Sequence, residues 1–108
     1  MIEEFREINK KFHKGVIFNG SSLEFAVSAA QKTKNWQEQL AFILRAIIND
    51  QVFEDGNKRT AAAYSMAVFA GQRLYYDPYK VDIMVLSIAK NKKSNIKMMV
   101  MMIKNVLL

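Results

Sequence analysis

An all-α fold, a compact bundle of about six helices, is the fold class that this sequence predicts. Apolar residues recur at three- and four-residue spacing along most of the chain, and few positions favour strands. Gly and Pro, the residues that most often break helices, number four and one in 108 residues. A chain of that length can bury one modest core but not two, so residues 1–108 read as a single domain.

The first helix is predicted from Ile2 to about Lys14, with Ile2, Phe5, Ile8 and Phe12 on one face and Gly15 as a left-handed stop. Val16-Ile17-Phe18-Asn19 is too short an apolar run for a helix and suits an extended loop or edge strand. An edge of that kind can pair with a partner's backbone. Ser21 and Glu24, three apart, form a capping pair for a second helix striped by Leu23, Ala26, Val27 and Ala30. Asn35 and Glu38 repeat that logic for a third helix, whose Leu40, Ile43, Leu44, Ile47 and Ile48 mark it as the centre of the core.

The third helix is predicted to end near Asn49-Asp50, and residues 51–57 interrupt the pattern before a strong helix former begins around Arg59. Gly71 reads as the stop of that fourth helix. Asp77-Pro78 opens a fifth, since Asp caps and Pro lacks only an N–H that a first turn does not use. Val81, Met84, Val85 and Ile88 form its buried stripe. Ser94 is the predicted cap of a sixth helix, with Ile96, Met99, Val100, Ile103 and Leu107 on its inner side. There is no internal repeat, linker or low-complexity segment.

Composition removes several function classes. The chain has no Cys and one His, so disulfide, zinc-thiolate, iron–sulfur, cysteine-nucleophile and two-histidine metal readings fall away. The most apolar stretch, Ile96 to Leu108, is broken by Lys97 and Lys104 and is too short to span a bilayer, and the acidic Met1-Ile-Glu-Glu-Phe start lacks a signal-peptide core. A cytoplasmic setting with no membrane partner is therefore expected. The net charge of +6 points to an anionic partner without saying which.

Chemistry concentrates in Gln51-Val52-Phe53-Glu54-Asp55-Gly56-Asn57-Lys58-Arg59-Thr60. The first-turn N–H groups of the following helix lack intrahelical acceptors, and the helix dipole adds positive charge there, which suits a phosphate. Gly56 allows close approach or positive φ, Lys58 and Arg59 add full charges, and Asp55 offers a hard oxygen ligand for a phosphate-bound Mg²⁺. Phe53, between polar neighbours, suits an anchor in the core. Spacing alone fits a solvated turn equally well, with Asp55 or Asn57 as helix cap and Lys58-Arg59 as surface charge.

The run from Phe53 to Arg59 resembles the Fic/Doc (Fido) family motif, H-x-F-x-[D/E]-[G/A]-N-[G/K]-R, and Thr60-Ala61 continues it as in the Doc, or death-on-curing, branch. The resemblance is carried by residues 40 to 72 and is weaker in the flanks. It implies Phe53 as core anchor, Asp55 as the Mg²⁺ ligand, Gly56 and Asn57 as the backbone anion nest, and Arg59 as the side chain on nucleotide phosphate. Lys58 stands where AMP-transferring Fic proteins usually carry Gly, and the second Arg of longer Fic motifs falls on Ala62. Both features favour the Doc branch, whose members transfer phosphate from ATP to a hydroxyl of a translation elongation factor. AMP transfer remains an alternative.

The family's catalytic His falls on Gln51, which has no titratable group near neutral pH. General-base catalysis contributes roughly 100- to 10,000-fold where it operates, although phosphoryl transfer draws mostly on positioning and Mg²⁺. An impaired enzyme is thus implied. Gln51 is compatible with a natural loss of the base, a natural change of chemistry, or an engineered replacement of His.

Among possible substitutes for the base, His13 lies beside Lys10, Lys11 and Lys14 and reads as part of a solvated helix end. Glu54 and Asp50 flank the loop, Asp50 with its side chain expected to point away. Val16-Ile17-Phe18 falls where Fic proteins carry a flap that docks the target by strand pairing, or is a buried connector. The first 15 residues carry no Fic-type inhibitory Ser/Thr-x-x-x-Glu helix, so any control is expected from a separate antitoxin chain.

A non-enzymatic module that binds an antitoxin or other protein is the rival reading. Nucleic-acid binding through Lys10 to Lys14 and Lys90 to Lys97 is disfavoured, because no stacking aromatics interleave the second cluster. The seven Met residues, several at core spacing, read as core filling rather than as an adaptable binding face.

Overall fold

A computed structural model of the protein describes residues 2–91 and 95–108. Among the described residues six helices follow in order: α1 (Ile2–Asn9), α2 (Gly20–Gln31), α3 (Trp36–Asn49), α4 (Asn57–Gly71), α5 (Pro78–Lys90) and α6 (Ile96–Val106). The described residues contain no strand, only isolated antiparallel bridges between Ile17 and Phe53 and between Tyr76 and Leu107. The fold is the all-α bundle expected from the helical periodicity.

The centre is α3, which packs against α2, α4, α5 and α6. Its Leu40, Ala41, Ile43, Leu44, Ala46, Ile47 and Ile48 are all buried, a wider apolar surface than a helix on the outside of a bundle carries. Leu44 and Ile47 are wholly shielded from solvent, and burial of each such side chain is worth about 1.5–3 kcal/mol. Around this axis α5 buries Val81, Met84, Val85 and Ile88, and α6 buries Met99, Ile103 and Val106. Met84 and Met99 fill the core as expected, whereas Met101 is exposed.

Local capping sets three helix starts. Asn35 Oδ1 accepts the Glu38 N–H at 3.0 Å, but the Glu38 carboxylate takes the Thr33 hydroxyl instead of reaching back to Asn35, so half of the expected reciprocal pair forms. The Asp77 side chain accepts the Tyr79 N–H at 3.0 Å ahead of Pro78. Asn95 caps α6 by accepting the Met98 N–H at 2.8 Å. The predicted cap Ser94 lies outside the described residues, as do Lys92 and Lys93 of the second basic cluster.

Elsewhere tertiary contacts override the local signal. α1 stops at Asn9 rather than near Lys14, because the Asn9 side chain is buried and committed to partners far along the chain. Gly15 is left-handed, at φ 71°, as expected, but it closes the turn after α1 rather than the helix itself. α2 begins at Gly20 behind Asn19, so Ser21 is not its cap. Asn19 is held by its N–H on the Val52 carbonyl at 2.9 Å and by its Nδ2 on the Asp50 carbonyl at 3.0 Å, which sets the start two residues early.

At the end of α4 the left-handed residue is Arg73, at φ 58°, not Gly71. The Leu74 N–H meets the Phe69 carbonyl at 3.0 Å and the Arg73 N–H meets the Ala70 carbonyl at 3.0 Å. This is a Schellman ending completed without glycine.

Candidate functional site

The loop between α3 and α4 is held from four sides. Gln51 follows the end of α3 with φ 51°, a left-handed conformation that a residue with a Cβ adopts at some cost. Val52 and Phe53 then turn inward and are buried, Phe53 at 1% exposure. The segment at residues 16–19 lies alongside: the Phe18 N–H meets the Val52 carbonyl at 2.7 Å and the Glu54 N–H meets the Val16 carbonyl at 3.0 Å. Asn57 completes the frame, its Oδ1 accepting the Phe53 N–H and its Nδ2 donating to the Phe53 carbonyl, each at 2.9 Å.

Gly56 is the residue before α4 and has φ 74°. A Cβ there would stand 3.1 Å from Asn9 Nδ2 and 3.4 Å from His13 Cβ, so both its conformation and its surroundings call for glycine. Asp55 Oδ1 accepts the Gly56 N–H at 2.7 Å. The next N–H groups, of Asn57, Lys58 and Arg59, belong to the first turn and have no intrahelical acceptor. No side-chain cap supplies one.

These groups open onto a cleft of about 470 Å³ lined by Gln51, Glu54, Asp55, Gly56, Asn57, Lys58 and Arg59, with Phe12 and Ile48 at its apolar side. Every singled-out residue of the motif lines the cleft except Phe53, which lies beneath it in the core. Gln51, Asp55, Lys58 and Arg59 are solvent-exposed. Neither Lys58 nor Arg59 has an ion-pair partner among the described residues. The arrangement presents helix N–H groups and two uncommitted cations to one space, the chemistry that holds a phosphate.

A bound divalent cation is a narrower question. The described residues include no cluster of three or more His, Asp or Glu side chains able to hold one. Asp55 has one carboxylate oxygen engaged by the Gly56 N–H, which leaves Oδ2 for a ligand. That donor set fits a Mg²⁺ delivered by a phosphate chain, which needs one or two carboxylates, and not an ion held by protein alone.

The structure also brings in residues that the local pattern leaves out. His13 is not on a solvated helix end: the chain after Asn9 folds through turns onto the loop, and His13 Nε2 lies 3.6 Å from Glu54 Oε2. That nitrogen has no exposed surface and no hydrogen-bond partner. Phe12, expected on the inner face of α1, lines the cleft instead. Asp50 points elsewhere, as expected, with Oδ2 accepting the Ser22 hydroxyl at 2.6 Å.

The stretch from Val16 to Phe18 is both connector and exposed edge. Ile17 packs on the core, whereas Phe18 is 78% exposed beside the loop. No helix among the described residues is long and apolar enough to cross a membrane. Compared with family profiles, with curated proteins and with solved structures, the chain shows no match.

Proposed function

We propose that this chain is a Doc-like Fido domain that binds ATP with Mg²⁺ through the loop from Phe53 to Arg59. In this reading its transfer of phosphate to a protein hydroxyl is impaired by Gln51. The observation that supports it is the convergence of three acceptor-free N–H groups, two unpaired cations and the Asp55 carboxylate on one cleft.

Each residue then has a physical task. The N–H groups of Asn57, Lys58 and Arg59 receive phosphate oxygens, and the Arg59 guanidinium pairs with the same group. Gly56 lets the chain turn beneath the phosphate, and Asn57 holds the loop's shape through Phe53. Asp55 Oδ2 is the group that would hold Mg²⁺, whose contribution when bound is to neutralise charge on the phosphate chain. Gln51 borders the cleft but takes up no proton from an attacking hydroxyl. The exposed Phe18 gives a protein target, such as an elongation factor, or an antitoxin an apolar point of attachment next to the loop.

The transfer half of the proposal is tested by Gln51→His. With γ-labelled ATP, Mg²⁺ and a cell extract or purified elongation factor, the variant is expected to label a protein that the parent leaves unlabelled. A Gln51→His protein that binds ATP–Mg²⁺ yet labels nothing contradicts phosphotransfer and leaves a binding module.

A further inference from the structure

The cleft does not end at the cations. A second cavity of about 440 Å³ shares Phe12, Lys58 and Arg59 with it and continues between α4 and α5. Its wall on α4 is made by Ala62, Ala63 and Met66, and its wall on α5 by Val85 and Leu86, with Asp82 as its one carboxylate. The short side chains of Ala62 and Ala63 keep the groove open beside Arg59.

α4 and α5 are joined by only six residues, Gln72 to Asp77, so α5 runs back along α4. Leu86 therefore lies nearer the cationic end and Asp82 nearer Met66. From Arg59 to Met66 the rise along α4 is about 10 Å, close to the span from a nucleotide's phosphate to the far edge of its base. The groove thus offers cations at one end, apolar walls in the middle and an acceptor at the other end. Asp82 is exposed and has no ion-pair partner among the described residues, so its carboxylate is free to accept hydrogen bonds.

We infer that this groove is the nucleobase subsite, with Phe12 and the α4–α5 walls against the base and Asp82 accepting hydrogen bonds from its edge. The inference rests on the nucleotide reading of the adjoining cleft and adds a base preference that the motif does not carry. A carboxylate only accepts at neutral pH. The guanine edge presents two adjacent donors, N1–H and the N2 amino group, whereas adenine presents one donor, N6, beside an acceptor. Guanine nucleotides should therefore bind more tightly than adenine nucleotides. An Asn in place of Asp82 supplies a donor beside an acceptor and matches adenine instead, as amide side chains do when they read adenine bidentately.

The experiment is a calorimetric comparison of GTP, ATP and inorganic tripolyphosphate, each with Mg²⁺, on the parent, Asp82→Asn and Ala63→Leu. The parent is expected to bind GTP about tenfold more tightly than ATP, and both more tightly than tripolyphosphate. Asp82→Asn should reverse the order of the two nucleotides. Ala63→Leu, which fills the groove, should bring both down to the tripolyphosphate level without changing tripolyphosphate itself. If all three ligands bind alike and neither variant changes them, the base subsite is refuted while the phosphate site stands. If tripolyphosphate and both nucleotides all fail to bind, the nucleotide reading falls and takes the subsite with it.

Discussion

Asn9 Nδ2 donates to Thr60 Oγ1 at 3.0 Å, a contact between two wholly buried polar side chains 51 residues apart. The same amide nitrogen donates to the Asp55 carbonyl at 2.9 Å, and Asn9 Oδ1 accepts the Gly15 N–H at 2.9 Å. One side chain thereby ends α1, closes the turn that carries Phe12 and His13, and fixes the backbone just before Gly56.

Asn9→Ala should therefore destabilise the fold by about 2–4 kcal/mol, since it strands the buried Thr60 hydroxyl and Gly15 N–H and the half-buried Asp55 carbonyl. Asn9→Asp keeps the volume and the acceptor for Gly15 but cannot donate to Asp55 or Thr60, so it too should lose stability. Urea unfolding of the three proteins checks this. An Asn9→Asp protein as stable as the parent would show that the two donated bonds do not hold the loop.

Gln51 has φ 51°, where a Cβ is unfavourable. Gln51→Gly should raise stability by about 0.5–1 kcal/mol, the relief of left-handed strain exceeding glycine's extra entropy in the unfolded chain. Gln51→Val, β-branched, should lower it. Thermal melts of the two variants read the sign directly, and they separate the backbone demands of this position from its chemistry.

Tyr64 packs its ring against Phe5, tilted by 50° with ring centroids 4.7 Å apart. Burial, and secondarily the charge of Glu4, push its phenol above the ordinary value of 10.0. A phenol with a raised pKa favours its neutral form in the folded state. Its contribution to stability is therefore fully present below pH 10.0 and is lost as pH rises through the folded-state value. Stability should fall on the alkaline side, and Tyr64→Phe should flatten that fall. Tyrosinate absorbance during an alkaline titration, compared between parent and variant, isolates the late-ionising residue.

The sequence discloses what short-range chemistry controls and hides what distant contacts control. The core stripes of α3 and α5, the Asn35 and Asp77 caps and the break between α3 and α4 follow from neighbours within a turn or two, and each stands where its pattern places it. The glycine before α4 was legible for the same reason. The end of α1 was not, because Asn9 finds its partners at residues 55 and 60. That early stop also brings Phe12 and His13 to the site, whereas the local pattern puts Phe12 on an inner helix face and His13 on a solvated helix end. Gly71 and Arg73 show the reverse: glycine is the expected left-handed residue, yet the hydrogen bonds of Leu74 and Arg73 to the end of α4 place that conformation two residues later.

The proposed function depends above all on a phosphate–Mg²⁺ site at the N-terminus of α4, with Arg59 and Asp55. Isothermal titration of the parent, Arg59→Ala and Asp55→Ala with ATP, in the presence and absence of Mg²⁺, tests it most directly. Saturable binding to the parent is expected, with a loss of about tenfold or more in Arg59→Ala with or without Mg²⁺, and a loss in Asp55→Ala confined to the Mg²⁺-containing titration. No binding to the parent, or binding that both variants leave unchanged, would contradict it.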